Sequence, residues 1–389
     1  MGSKAKNWKD LSGQRNWEGL LDPLHNDLRR YIIHYGERAE AVADAFNGLA
    51  ISKGYGKSRY PMEGFFSYVG LENGNPYKYK VTSFIYAKSE IKILNWVHGE
   101  SSWIAYVAVA TDEGKAELGR RDILISWRGT KTDLEKLEDL DLLPVSASDI
   151  LGKANDPKVH KGFLSVYSAN DSNSIYNKSS AREQVIKEVK KLVEKYKNEE
   201  VSITVTGHCV GAAVATLNAV DIAANGHNKP TGQPDKAFPV TAIVFASPRT
   251  GDKGFRQVFE GLKDDLHVLR ISNSHDPVPK LPVGFGYVHV GEELEIDSTK
   301  SPYLKDGNKC KLVHELEVYL HGVAGTQGSE KEFEFAIDRD ISLVNKTTDG
   351  LKDEFQVPDH WWIEKNKSMI QEDDGSWKLD DYVSDPPSP

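Results

Sequence analysis

Apolar positions along this chain follow two alternating rhythms. Asp122-Ile123-Leu124-Ile125-Ser126-Trp127 is short, mostly apolar and stops at Arg128-Gly129-Thr130. It predicts a buried strand entering a turn. Residues 180–197 carry Val185, Val189, Leu192 and Val193 at helical spacing, with a charged outer face. Val201-Ser202-Ile203-Thr204-Val205-Thr206 is rich in β-branched residues and predicts a strand. The small-residue run 212–217 predicts a helix, and 240–247 and 267–272 predict further strands. Strand and helix in this alternation make an α/β fold with a mostly parallel sheet flanked by helices. The first hundred residues are less regular, with helix-like pieces at 24–35 and 37–48 among Tyr- and Gly-rich turns. Beyond 325 the pattern loosens again. Trp361-Trp362 reads as packing, and 381–389 reads as a disordered tail.

Composition narrows the picture. The chain has 389 residues, of which 39% are hydrophobic and 28% charged. That is enough apolar side chain for a sizeable core, and it excludes a collagen, a disordered chain or a membrane bundle. The net charge is -9 and no long basic block stands out, so a nucleic-acid partner is not expected. The two cysteines, Cys209 and Cys310, make neither a disulfide framework nor a metal-ligand spacing. No metal and no cofactor are expected. The first residues lack an apolar signal core, so the expected compartment is reducing and cytoplasmic, and Asn177-Lys178-Ser179 is a chance sequon.

The strongest chemical signal is Gly207-His208-Cys209-Val210-Gly211, between a predicted strand and a small-residue helix. This is the layout of a nucleophile elbow with Cys at the apex. The turn is so tight that Gly207 and Gly211 leave no room for a Cβ. The helix that follows favours a developing anion. An elbow needs an acid and then a histidine downstream. Asp276 lies just past the 267–272 strand, before Pro277, and His314 follows in Val313-His314-Glu315-Leu316. His321 is the rival base, and if the stretch is helical one of the two histidines is structural. His275, beside the acid, is a weaker candidate. Cys310 reads as inert.

These residues resemble the class 3 lipases, in particular the plant intracellular phospholipase A enzymes that release the sn-1 acyl chain. The similarity covers most of the chain. It runs from Asn7-Trp8 and Trp17-Glu18-Gly19-Leu20-Leu21-Asp22-Pro23-Leu24 through residues 55–60, Trp127-Arg128-Gly129-Thr130 and the elbow. It continues in Phe245-Ala246-Ser247-Pro248-Arg249-Thr250-Gly251-Asp252, Asp276-Pro277-Val278, His314-Glu315-Leu316, Ser342-Leu343-Val344-Asn345-Lys346 and the stretch after Trp361-Trp362. The resemblance implies an α/β-hydrolase fold with Cys209 as nucleophile, Asp276 as acid and His314 as base. It also implies an oxyanion hole from the N–H groups of Thr130 and Val210, and a lid near 130–159. Leu142-Leu143 and Ile150-Leu151 would turn toward an acyl chain, or else simply close the core. The implied organisation is an N-terminal helical extension over 1–100, a hydrolase core over 101–325 and a C-terminal addition over 326–380.

The family pattern has Ser where this chain has Cys209. Three readings follow: acyl-ester hydrolysis or acyl transfer through a thiolate, a retired or weakened site, or a Ser-to-Cys variant of a serine lipase. The expected activity is hydrolysis or transfer of an acyl group from a lipid-like ester through a covalent acyl-enzyme. The expected partners are a lipid or small-molecule ester and a transient membrane surface. The alternatives are an acyltransferase or esterase of specialised metabolism acting on a small molecule, and a catalytically silent lipase-like binding protein.

Overall fold

The computed structural model describes residues 7–88, 101–129, 143–305, 312–328, 331–362, 369–371 and 373–379. Its main sheet has seven strands in the spatial order β1-β2-β3-β6-β7-β8-β9. These are β1 (Tyr79–Ala87), β2 (Ser102–Ala110), β3 (Arg121–Trp127), β6 (Val201–His208), β7 (Val240–Phe245), β8 (Leu266–Asn273) and β9 (Glu292–Ile296). The pairs from β3 to β9 are all parallel, whereas β1 pairs β2 and β2 pairs β3 antiparallel. Two short strands, β4 (Pro144–Ser146) and β5 (Lys158–His160), form a separate antiparallel pair. A further hairpin, β10 (Met369–Gln371) with β11 (Trp377–Leu379), lies in the C-terminal stretch.

The sheet is buried on both faces, and side-chain alternation sorts its residues between them. Ile123, Ile125, Trp127, Ile203, Val205, Val240, Ala242 and Val244 point into one core. Leu124, Ile243, Phe245, Leu269 and Ile271 point into the other. The first core is covered by α2 (Lys161–Ser168), α3 (Ala181–Lys195) and α4 (Val210–Ala224), with α5 (Lys253–Glu260) at its margin. The second is covered by α1 (Asn26–Ala45) and α6 (Leu316–Gly325). Ser180 starts α3 with a reciprocal capping box: its Oγ accepts from the Glu183 N–H at 3.2 Å, and Glu183 accepts from the Ser180 N–H at 2.7 Å.

Two expectations change. The helical pieces at 24–35 and 37–48 are one continuous helix, α1. Gly36 breaks the apolar pattern but not the helix. A Cβ there would lie 2.2 Å from Leu320 Cδ2 of α6, so the residue buys close approach of two helices instead of a turn. The stretch 1–100 is also more than a helical extension, because β1 belongs to the main sheet. Its Tyr79, Val81, Phe84 and Tyr86 alternate with residues that face the other way, and Ser83 and Thr82 dilute the hydrophobic signal.

The segment after α6 is tied back to the helical layer by buried charge. Lys346 Nζ bonds the Asp44 carboxylate at the end of α1, and Arg339 Nη2 bonds Glu317 Oε2 of α6 at 2.5 Å. The expected tail at 381–389 lies outside the described residues, as does Cys310. Among the described residues, no helix is long and apolar enough to cross a membrane.

Candidate active site

β6 runs directly into α4 through the five residues of the elbow. Cys209 caps that helix with φ +57° and ψ −127°, a backbone state that a non-glycine residue holds only under constraint from its surroundings. The constraint is visible on every side. Its N–H donates to the Phe245 carbonyl of β7 at 3.0 Å. A Cβ on Gly207 would lie 2.6 Å from the Gly211 carbonyl group, and a Cβ on Gly211 would lie 2.5 Å from the Trp127 carbonyl oxygen. Both glycines are therefore required, as their spacing predicts. Cys209 itself is buried.

The acid stands at the carboxyl end of β8, three residues past Asn273, where ligands gather in open parallel sheets. Asp276 is fully buried and accepts three hydrogen bonds. Its Oδ1 takes the Val278 N–H at 2.9 Å. Its Oδ2 takes the Tyr319 hydroxyl at 2.6 Å and meets His314 Nδ1 at 2.7 Å. A carboxylate can only accept, so Nδ1 carries the proton and Nε2 is left for Cys209, with which His314 interacts electrostatically. Cys209, Asp276 and His314 thus come together from three separate elements in the predicted order.

His314 lies in the turn before α6, and two further contacts hold that turn. Asn273 Nδ2 donates to the Val313 carbonyl at 2.9 Å, and His208 Nε2 donates to the His314 carbonyl at 2.8 Å. Burial acts to lower the pKa of His314. The electrostatic interaction with Cys209 and the hydrogen bond to Asp276 outweigh it, and the pKa is pushed up to about 10. Its neighbour moves the other way. Burial, helped by the charge of His314, pushes His208 down to about 3. His208 is therefore a neutral donor at physiological pH, and the two adjacent imidazoles have opposite roles.

The rival histidines separate cleanly. His321 is buried, bonds Ser301 Oγ at 2.7 Å and stacks on Phe333. Burial pushes its pKa down to about 3, which fits a structural residue. His275 is exposed and only 3.8 Å from Asp297.

Of the expected oxyanion donors, Val210 is the first residue of α4, so its N–H has no carbonyl acceptor within its own helix. Thr130 lies outside the described residues. The loop leading to it is anchored at Arg128, whose backbone N–H donates to the Ile104 carbonyl at 2.7 Å and whose Nε donates to the Trp103 carbonyl at 3.1 Å. The guanidinium also sits 3.8 Å from the centre of the Phe46 ring. Gly129 then presses on the elbow: a Cβ there would lie 2.8 Å from the His208 carbonyl and 3.5 Å from Cys209 Cβ. Of the lid stretch, 130–142 lies outside the described residues. Leu151 is buried in the core with Ile150 packed against it, so that pair closes the core, while Leu143 is 53% exposed.

Residues 124–285 match the sequence profile of the Lipase (class 3) family. Over nearly the whole length, the chain is 52% identical to phospholipase A1-IIgamma of Arabidopsis thaliana, covering 98% of this chain and 94% of that protein. The chain belongs to the class 3 lipase family. It is also 48% identical to phospholipase A1-II 4 of Oryza sativa subsp. japonica, covering 97% of this chain and 96% of that protein. Among solved structures, nonglycosylated Yarrowia lipolytica LIP2 lipase superposes with a TM-score of 0.47 at 17% identity, covering 71% of this chain and 82% of that one. The fold of this class 3 lipase is that of the α/β-hydrolases, whose enzymes of the lipase class are carboxylic ester hydrolases.

Sequence reasoning missed three residues of the site. Tyr319 and Asn273 hold the acid and the histidine turn, and His208 holds the His314 backbone. Tyr319 sits inside the apolar run Leu316–Gly325 and reads as core. His208 had a signal, its place inside the elbow. Asn273 had one too, as the polar end of an apolar strand.

Proposed function

We propose that this class 3 lipase hydrolyses the sn-1 acyl ester of a glycerophospholipid through a thioester on Cys209. The observation that carries the reading is the hydrogen bond of His314 to buried Asp276, with that imidazole electrostatically coupled to a sulfur held at the strained apex of the elbow. The phospholipase A1 names of its relatives favour the substrate class.

The steps follow from the donors and acceptors. His314 Nε2 takes the Sγ proton as sulfur attacks the acyl carbonyl, and the carbonyl electrons move onto oxygen. The Val210 N–H faces that developing charge at the positive end of α4. Asp276 keeps the imidazole in the tautomer that accepts at Nε2 and offsets the imidazolium charge. Collapse of the tetrahedral centre breaks the ester C–O bond, and the leaving lyso-lipid oxygen takes the proton from His314. Water, deprotonated by His314, then attacks the thioester, releasing a fatty acid and restoring the thiol. A raised His314 pKa stabilises the imidazolium that forms as the Sγ proton is taken.

A second outcome rests on the same sulfur. Thioesters react readily with amines and thiols, so acyl transfer competes with hydrolysis when such acceptors are present. The test is intact-protein mass spectrometry after brief exposure to p-nitrophenyl esters and phosphatidylcholine. We expect one acyl adduct on Cys209, absent from Cys209→Ala, and added amines then divide hydrolysis from transfer. Turnover without an adduct, retained in Cys209→Ala, would refute the thioester. No turnover in the original chain with full turnover in Cys209→Ser would mark a serine-shaped site silenced by sulfur.

A further inference from the structure

Several large apolar side chains stay outside the core. Val283 and Phe285 are 68% and 58% exposed and lie on the stretch that leaves the carboxyl end of β8, the edge that carries Cys209; Leu143, Ile51 and Ile175 are exposed as well. The 281–287 loop follows Asp276 by one short turn, Val278–Lys280. Leu143 leads into β4, whose hairpin is tied through the Val159–Gly251 and Gly251–Val288 bridges to the far end of that loop. Ile51 sits in the loop after Phe46, which lies under Arg128, and Ile175 lies between Ser174, bonded to Ser101, and Tyr176, bonded to Lys57.

The 281–287 loop is held at both ends. The Arg249 N–H donates to the Leu281 carbonyl at 2.7 Å and its Nη1 to the Pro282 carbonyl at 2.8 Å. The Tyr287 N–H donates to the Gly284 carbonyl at 3.3 Å, and the Val288 N–H to Gly251 at 2.9 Å. Gly284, Phe285 and Gly286 all have positive φ, which turns the tip sharply between those anchors. A pinned loop with a left-handed Phe at its tip is an unusual place to leave two large apolar groups in water. Single exposed apolar residues need no explanation, but a group of them beside a site does. Lys280, Arg249 and Lys161 border the same loop and the neighbouring hairpin, on a chain whose net charge is -9. Local positive charge around an apolar tip fits phosphate head groups above hydrocarbon.

We propose that the 281–287 loop is a lipid-surface anchor, with Val283 and Phe285 entering the acyl layer of a phospholipid bilayer while Lys280 and Arg249 meet its phosphates. The inference rests on the lipid-ester reading of the adjacent site. It gives the protein a contact that brings that site to a lipid surface.

The test is flotation of the full chain with vesicles of phosphatidylcholine carrying a minor share of phosphatidylglycerol, beside a Val283→Ser/Phe285→Ser double variant. Removing two apolar side chains should weaken partitioning on the order of a hundredfold. Turnover of a soluble short-chain p-nitrophenyl ester should stay within about twofold, because distant sites act additively. In Phe285→Trp, quenching by brominated lipids should rise above that of the unsubstituted chain. Equal flotation of both forms together with no added quenching overturns the anchor. An equal loss of soluble-ester turnover would instead assign the loop to the active site, and a lipid-free change in sedimentation on double substitution would assign it to self-association; both also overturn it. Failure of the underlying reading looks different: the original chain would float, lose flotation on double substitution and still cleave no ester.

Discussion

Two aspartates of this protein are equally buried, and both accept several hydrogen bonds, yet only one lies in the candidate active site. Asp122 stands near the amino end of β3. Its Oδ2 accepts from the hydroxyls of Tyr35 at 2.9 Å and Tyr79 at 2.7 Å, and its Oδ1 from Ser202 at 2.6 Å and Thr204 at 2.8 Å. Arg120 lies 3.8 Å away and is itself bonded to Ser202, Tyr31 and Tyr35. Each contact leads back into this cluster. Asp276, at the carboxyl end of β8, has two donors that only hold it and a third, His314, that passes its influence on to a sulfur. Burial and hydrogen bonding are common to both. The difference is that one network closes on itself, while the other leads to a cysteine held in a strained turn.

Exchanging each carboxylate for an amide tests that contrast most severely. Asp276→Asn should cut kcat on the order of ten-thousandfold, because the amide lets the imidazole settle in the wrong tautomer. The check is kcat and KM on a soluble ester, with thermal melting to show that the fold persists. Asp122→Asn should do the reverse. It removes the charge facing a buried guanidinium and should cost about 3–5 kcal/mol of stability, with turnover per folded molecule nearly unchanged. Urea titration beside active-site counting measures both. If Asp122→Asn lowers turnover as far as Asp276→Asn does, the two networks are not separate.

The pH dependence sharpens the contrast on a smaller scale. The folded-state pKa of His314, about 10, lies above the unfolded value near 6.5. Its contribution to stability is therefore full below about pH 6.5 and is lost as pH rises toward 10, with a slope of at most about 1.4 kcal/mol per pH unit. The stability difference between the original chain and His314→Gln should shrink across that window. A difference that stays flat would mean that His314 is not held protonated.

Tyr319→Phe carries the smallest expected effect. It removes one of three donors to Asp276, and a hydrogen bond to a charged group is worth about 1.5–3 kcal/mol. kcat should fall on the order of tenfold with KM unchanged, and the acidic limb of the pH–rate profile should shift. A loss of stability without that shift would make Tyr319 a packing residue only.

Most of the central architecture was readable from residue pattern. β3, β6, β7, β8, α3 and α4 announce themselves because parallel strands buried on both faces are continuous apolar runs, and α3 carries one apolar stripe. β1 was not readable, because its Thr82 and Ser83 interrupt the run. The break at Gly36 misled for a different reason: a helix tolerates glycine where a neighbouring helix must come close, and that neighbour is nearly three hundred residues away in the chain.

The elbow and the order of Cys209, Asp276 and His314 were determined by the sequence itself, because tight turns and short apolar strands have local signatures. Residue pattern alone left His314 and His321 as rivals, the resemblance favoured His314, and the tertiary structure gives the two different surroundings. His314 and His321 are seven residues apart in one short stretch, and only the fold turns one toward a buried carboxylate and the other toward a serine among aromatic rings. The same holds for Tyr319, an apolar-looking helix residue whose hydroxyl reaches Asp276 only after α6 has packed beside β8. A local pattern records what each segment needs from its own neighbours in sequence. The direction of a proton depends on groups that meet only when distant segments share one interior.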